Sequence, residues 1–356
     1  MENRITIGMD MGDRNHSICV LDADGEVKER ATLVNTAVAL QKYFGALSPC
    51  RIALEAGTHS GWVSRLLESM GHEVLVGNPR KLRVIWDSDE KTDKRDAEVL
   101  ARIARLDPRL LHPIHHRGRE AHADLAVIKA RDMLVKARSM LIAHARGAVK
   151  TVGQRISTCG AEVFHKRLLE ETPSELRPAL EPVMKSIEEL TTRIHHYDQL
   201  LKKLCEESYP ETEGLRAVSG VGPVTALAFV LTLEEHARFA KSRDVGPFLG
   251  LVPKRDQSGQ TDRQLHVTKA GDAYVRRLLV GSAQYILGPF GPDCDLRRFG
   301  LKVAERGGKN AKRRAVVAVA RKLAVLLHRL WTSGKAYDPC YSQTRKGSQT
   351  AESKTA

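Results

Sequence analysis

The chain has 356 residues, of which 42% are hydrophobic and 28% charged, a balance that suits two or three folded domains and excludes a disordered chain. No apolar run reaches membrane-spanning length and no charged-then-apolar leader follows Met1, so a cytoplasmic protein without membrane contact is expected. The net charge is +14, and the stretch from Leu251 to Lys335 holds 18 Lys/Arg against 6 Asp/Glu, a surplus of 12; such a block predicts a polyanionic partner, nucleic acid being the usual one.

From Arg4 to about Leu106 the pattern is that of an α/β unit. Strands are expected at Ile5–Met9, Ser17–Leu21 and Glu26–Val34, the last two joined by the turn Asp22-Ala23-Asp24-Gly25. A helix over 37–47, a strand over 51–54, a helix over 62–70 and a strand over 73–76 follow, so hairpin strands precede alternating helices and strands and a mixed sheet results. The polar stretch Lys91-Thr92-Asp93-Lys94-Arg95-Asp96 opens a further helix, with Thr92 or Asp93 as N-cap and Ala97, Leu100, Ile103 and Ala104 as its apolar stripe.

Four acids in this unit form the candidate site. Asp93 and Asp96 are three residues apart on one helix and so are surface neighbours, while Asp10 and Glu55 each end a short apolar strand, where ligands gather. Carboxylates brought that close raise each other's pKa unless a cation sits among them, and an all-oxygen set favours Mg²⁺ or Mn²⁺ over zinc. Taken singly, each acid is more often an ordinary strand-end or helix-start residue; the ensemble suggests metal-dependent phosphodiester chemistry. The six cysteines show neither CxxC nor Cys/His spacing and are expected as reduced thiols.

After a Pro/His/Arg-rich connector at 107–118, an Ala-rich helix is expected over 120–150. Val183, Ile187, Leu190, Ile194, Tyr197, Leu201 and Leu204 then recur in a 4-3 alternation, which predicts either a helical hairpin with the 120–150 segment or a dimerising coiled coil. The stretch 215–226 resembles a helix–hairpin–helix turn, in which the amides around Gly220 and Gly222 face a DNA phosphate, although a Gly-Pro helix start also serves plain packing. Ser258 lies in a basic, glycine-flanked loop; Lys254, Arg255, Arg263 and Lys269 around it are candidate phosphate contacts, and Lys312, Arg313 and Arg314 open a helix over 311–331 that follows one over 273–287. By itself a serine beside glycine is usually a turn residue.

Six ordered motifs carry a resemblance that spans nearly the whole chain: Gly8-Met9-Asp10, Ala53-Leu54-Glu55-Ala56-Gly57, Thr92-Asp93-Lys94-Arg95-Asp96, Gly220-Val221-Gly222-Pro223, Gly250-Leu251-Val252-Pro253 with Ser258-Gly259, and Thr268-Lys269-Ala270-Gly271-Asp272 followed by Arg276. With them the chain resembles the DEDD-type transposases of bacterial insertion sequences, the one-ten family, described as bridge-RNA-guided recombinases. The resemblance implies a RuvC-like, RNase H-type domain at 1–110 that holds Mg²⁺ on Asp10, Glu55, Asp93 and Asp96, a coiled-coil segment at 119–208 and a helical transposase domain at 213–335, while the polar composition of the tail at 341–356 predicts disorder. It further implies that Ser258 attacks DNA as a nucleophile, that Arg276 joins the nucleic-acid contacts, and that the protein works as a dimer or tetramer on DNA with a guide RNA. Two other readings of the residues stay open: a Holliday-junction-type nuclease that uses water, and a non-catalytic nucleic-acid-binding scaffold.

Overall fold

The computed structural model describes residues 5–82, 92–259 and 261–341. Lys91 of the acid-bearing motif and the tail from Ser342 onward therefore lie outside the described residues. The chain divides into two compact units, 1–117 and 118–356.

The first unit is mixed α/β. Its sheet is built from β1 (Thr6–Met11), β2 (Asn15–Leu21), β3 (Val27–Val34), β4 (Arg51–Glu55) and β5 (Glu73–Gly77), in the order β3-β2-β1-β4-β5. The first three strands pair antiparallel, whereas β4 runs parallel to both β1 and β5. Between β2 and β3 the Asp22 carboxylate accepts three backbone N–H groups, from Asp24, Gly25 and Glu26, each at 2.9 Å, and Gly25 takes the left-handed φ of +91° that this turn needs. Helices α1 (Ala37–Phe44) and α2 (Ser60–Ser69) cover one face, where Leu40, Phe44, Val63 and Leu67 bury Ile7, Met9, Ile52 and Leu54. Helix α3 (Asp93–Leu106) covers the other face, with Ala97 and Ala101 against Cys19 and Leu21, and Leu100 and Ala104 against Ala53.

The second unit is helical apart from one ribbon. Long helices α4 (Arg119–Thr151) and α6 (Arg177–Glu207) run side by side, with α5 (Phe164–Glu171) closing a small core at one end around Phe164, Leu168 and Val149. Arg131 meets Asp198 at 2.5 Å, and seven residues later on α4 Arg138 meets Thr191, seven residues earlier on α6, so the two helices are antiparallel. Of the two arrangements open to the 4-3 seam, the chain forms the helical hairpin, with Ile187, Ile194 and Leu201 buried along it.

The other end of that hairpin enters the main core through Leu125, Ile128, Leu201 and Cys205. There it meets α7 (Thr212–Arg216) and α8 (Pro223–Leu233), a helix buried on every side from Thr225 to Leu233 and so apolar all round. The short α9 (Val245–Phe248), the ribbon β6 (Pro253–Ser258) and β7 (Thr261–Val267), and helices α10 (Ala273–Leu287), α11 (Asp295–Ala304) and α12 (Ala311–Ser333) complete the unit. Where the sequence suggested a basic, glycine-flanked loop around Ser258, the chain forms this antiparallel ribbon; every residue of β6 is exposed, so no alternation of buried and exposed side chains marks the strand. Helices α5 and α11, short and only partly apolar, were likewise not foreseen.

Candidate active site and nucleic-acid surfaces

Backbone register brings Asp10 and Glu55 together. Met9 of β1 pairs with Leu54 of the parallel β4, so the next residue of each strand, Asp10 and Glu55, stands at the same level at the C-terminal edge. Side chains alternate along a strand, hence Asp10 shares the face of Gly8 and Glu55 the face of Ala53. That is the face on which α3 lies.

Gly8 explains how closely. A Cβ at this position would sit 1.9 Å from the Ala97 carbonyl oxygen and 2.6 Å from the Ala101 nitrogen, so only glycine lets the helix rest directly on β1. The helix also has a defined polarity. At its C-terminal end Ala104 O accepts from Arg51 Nη1 at 3.3 Å, at the start of β4, and Arg105 donates to the Asp22 and Ala23 carbonyls just beyond β2. Its first turn is therefore directed toward the opposite edge, where Asp10 and Glu55 stand. In that turn Thr92 is the N-cap, its Oγ1 accepting from Arg95 N at 3.3 Å; Asp96 is buried and Asp93 exposed, both continuing the stripe of Ala97, Leu100 and Ala104 that faces the sheet.

Register thus puts Asp10 and Glu55 on one face at one edge, toward which the first turn of α3, with Asp93 and Asp96, is directed. Among the described residues, no three His, Cys, Asp or Glu side chains stand close enough to enclose an ion. A fifth acid nearby, Glu98, belongs to a different task. It accepts from Arg30 Nη2 of β3 at 2.5 Å and from Arg102 Nε at 2.9 Å, and these two guanidinium groups hold its carboxyl below the usual range. Sequence reading also missed a cluster following the strand ends, in which His59 Nε2 lies 3.3 Å from Asp13 Oδ1 and Trp62 Nε1 donates to His59 Nδ1 at 3.3 Å. With Nδ1 accepting, the ring proton resides on Nε2 and points to Asp13. Spacing offered a faint signal: Asp13 follows Asp10 by three residues, and His59 follows Glu55 by four.

Ser258 belongs to the second unit. It is the last residue of β6, exposed, pairing with Thr261 across the tip of the ribbon, with Gly259 at φ +54° beside it. The base of the ribbon is fixed from both sides. A Cβ on Gly250 would come within 2.3 Å of Ala270 N, one on Gly271 within 2.0 Å of Phe248 O, and Arg276 Nη1 donates to the carbonyls of Leu249 and Ala270 at 3.0 and 2.6 Å. Asp272 caps α10 by accepting from Tyr274 N and Val275 N at 2.8 and 3.0 Å. The motif around Gly250 and the motif from Thr268 to Arg276 are therefore two halves of one anchor, with the guanidinium of Arg276 tied into it. On the ribbon itself Arg255 forms a forked pair with Asp262 at 2.7 and 2.6 Å, while Lys254 and Arg263 are exposed. Lys269 is exposed at φ +53°, a left-handed conformation between the ribbon and its anchor.

The turn between α7 and α8 packs on α10. Gly220, at φ +83°, has room for no side chain larger than its hydrogen without crowding Ser282 O and Tyr285 Cδ1, both 3.0 Å from a Cβ there. Gly222 precedes Pro223 at the first position of α8, its own surroundings open, and a recess rimmed by Arg216 and Arg277 lies beside it. Lys312, Arg313 and Arg314 are all exposed in the first turn of α12.

Comparison with known proteins cuts across the division into two units, the first matched region running past residue 117 through α4. The family model of IS110-type DEDD proteins, described as a transposase, matches residues 7–153, and the model described as transposase IS116/IS110/IS902 family matches residues 212–292. Along 93% of its length the chain is 28% identical to the transposase for insertion sequence element IS1111A of Coxiella burnetii, covering 90% of that protein. It is 27% identical over 95% of its length to a probable family 20 transposase of Pseudomonas aeruginosa, covering 99% of it, and 26% identical over 80% to the transposase for insertion sequence element IS1328 of Yersinia enterocolitica, covering 84%. With two models of one family together spanning more than half of its residues, and relatives aligned along nearly all of it, the chain belongs to the IS110 family of insertion-sequence transposases.

Proposed function

We propose that this transposase cuts and exchanges DNA strands at the edge formed by Asp10, Glu55, Asp93 and Asp96, with Ser258 as the attacking group. The observation that carries the reading is the register of β1 with β4, which sets Asp10 beside Glu55 on the face toward which the first turn of α3 is directed. The strand order, three antiparallel strands followed by two parallel ones, supports an RNase H or RuvC-like assignment for this unit. The donors are all carboxylates, a set that fits Mg²⁺ or Mn²⁺ better than a softer ion. A divalent cation held there supplies Lewis-acid stabilisation of charge on the phosphate.

The serine route asks more of the chain. Ser258 Oγ forms a bond to phosphorus as the bond to the sugar oxygen breaks, leaving a phosphoserine ester that a second strand's hydroxyl later displaces. An exposed serine at the tip of a ribbon anchored only at its base is accessible to a phosphate, and a two-stranded ribbon with a fully exposed strand is marginal by itself, which favours its docking on DNA or on another protomer. We infer a homo-oligomer, dimer or tetramer, in which one protomer's Ser258 serves another's carboxylates. A guide RNA is the further partner that the family resemblance suggests, and the basic C-terminal block suits either nucleic acid.

Two variants test these steps. With a labelled DNA substrate and Mg²⁺, Asp10→Ala should abolish cleavage, and Ser258→Ala should abolish both cleavage and the covalent protein–DNA adduct while leaving binding intact. Cleavage retained by Ser258→Ala would establish hydrolysis by water instead, and cleavage retained by Asp10→Ala would remove the carboxylate site. Mixing Asp96→Ala with Ser258→Ala protomers should restore part of the activity if sites are shared. Sequencing of RNA that co-purifies with the protein tests the guide.

A further inference from the structure

A groove of about 1680 Å³ runs along α12 in the second unit, larger than the ~300–1,000 Å³ of small-molecule pockets. It is bounded by α11, by the segment 335–341 and by Leu265 and Val267 of the Ser258 ribbon, near its base. Its chemistry is of two kinds in alternation. Arg314, Ala318, Arg321, Val325 and Arg329 follow one another at spacings of four, three, four and four, one stripe of the helix spanning about 22 Å. Aromatic rings carry cations beside that stripe: Lys322 Nζ stands 4.1 Å from the centroid of Phe299, and Arg329 Cζ 5.5 Å from that of Tyr341. Among the groove's lining residues the only acids are Asp295 and Asp338.

We propose that this groove holds an unpaired DNA strand and leads it toward Ser258. A duplex keeps its base faces stacked and hidden, whereas an unpaired strand presents phosphates and bare base faces side by side, matched by cations and by aromatic or apolar surface. Strand exchange requires such a strand to leave its duplex, and the groove reaches the ribbon that bears the serine. The proposal rests on the strand-transfer reading for its choice of DNA.

Binding is measured by fluorescence anisotropy on the full chain, in EDTA so that cleavage plays no part, with labelled unpaired DNA of about 12 nucleotides, the matching duplex and the matching RNA. Arg321→Ala/Arg329→Ala should weaken unpaired-DNA binding about tenfold and lower the slope of log affinity against log salt by about 1.4, two cations' worth for a single strand. Val325→Glu should also weaken unpaired-DNA binding about tenfold, by placing a carboxylate on the floor. Duplex binding should change less than about twofold, and Lys185→Ala/Lys202→Ala on the helical hairpin should change nothing. Equal losses for duplex and unpaired DNA, no loss at all, tighter binding of the RNA strand, or a change in oligomeric mass on substituting the groove would each overturn the proposal. The carboxylate site is read by cleavage in Mg²⁺ and the groove by binding in EDTA, so a failed carboxylate site and a failed groove give separate results.

Discussion

Helices α3 and α12 begin with different charge: the first turn of α3 sets Asp93 and Asp96 against Lys94 and Arg95, whereas that of α12 holds Lys312, Arg313 and Arg314 and no acid. The N-terminus of a helix carries about half a positive charge, so Asp93 and Asp96 lie where the helix dipole favours them, and Thr92 caps the turn. Lys312, Arg313 and Arg314 lie where the dipole opposes them, behind Asn310, which makes no side-chain cap bond, and no acid shares their turn. Acids at a helix start are locally consistent and need no ligand to explain them. Three cations there oppose the dipole at roughly 0.3–1 kcal/mol each; of them Arg314 donates to the Gly307 carbonyl, and an anion such as a DNA phosphate would offset the cost. The two starts also differ in support: the first rests on a glycine-lined strand, whereas the second opens into a groove.

The comparison would break first at Asp96. If the acids of α3 do more than begin a helix, Asp96→Ala should reduce DNA cleavage about 10³-fold, roughly 4 kcal/mol in the barrier, while thermal unfolding moves by only a few degrees. Undiminished cleavage would make Asp96 a helix-start residue and nothing more. Gly8→Ala comes next. The added methyl meets the Ala97 carbonyl, so α3 must rise from the sheet; a loss of about 1–3 kcal/mol in urea unfolding is expected, together with lost cleavage as Asp93 and Asp96 move with their helix. Parent-like stability would mean that α3 does not rest on β1.

Those two residues also show what was legible in the sequence. The five strands of the first unit, the cap at Thr92 and the apolar stripe of α3 were readable, because burial of one face imposes a period on neighbouring residues. Asp10 and Glu55 were readable as strand-end acids for the same reason. That Gly8 admits the helix was not, since the contact joins residues nearly ninety positions apart. The ribbon of Ser258 escaped because all of β6 is exposed, and its anchor escaped because Gly250, Gly271 and Arg276 act together only through backbone carbonyls. The Asp13–His59–Trp62 cluster is likewise a product of strand pairing, not of local pattern.

Smaller changes sharpen the contrast between the helix starts. Thr92→Ala should cost about 1 kcal/mol, read as a shift in the urea midpoint, because the Arg95 amide loses its side-chain acceptor. At the other start, Lys312→Glu/Arg313→Glu should stabilise the protein by about 0.5–1 kcal/mol by complementing the dipole, yet weaken DNA binding by tenfold or more. A variant that gains stability and keeps its affinity would mean that the cations of α12 serve the surface alone.

The smallest effect expected is a dependence on acid, and it belongs to α3. Glu98 is held below the ordinary carboxylate range, first by the hydrogen bond from Arg30 and then by that from Arg102, so at pH near 4.5 the unfolded chain binds more protons at this residue than the folded one. Its contribution is therefore present above that pH and lost as pH falls through the lower folded value. Glu98→Gln should lower the unfolding midpoint slightly at pH 7, by the small amount that suits a largely solvent-screened pair, and should flatten its fall on acidification, so that the two curves converge at low pH. Thermal midpoints of the parent and the variant across that fall decide it: parallel curves would assign the acid sensitivity to other carboxylates and leave Glu98 as a bystander to the helix start.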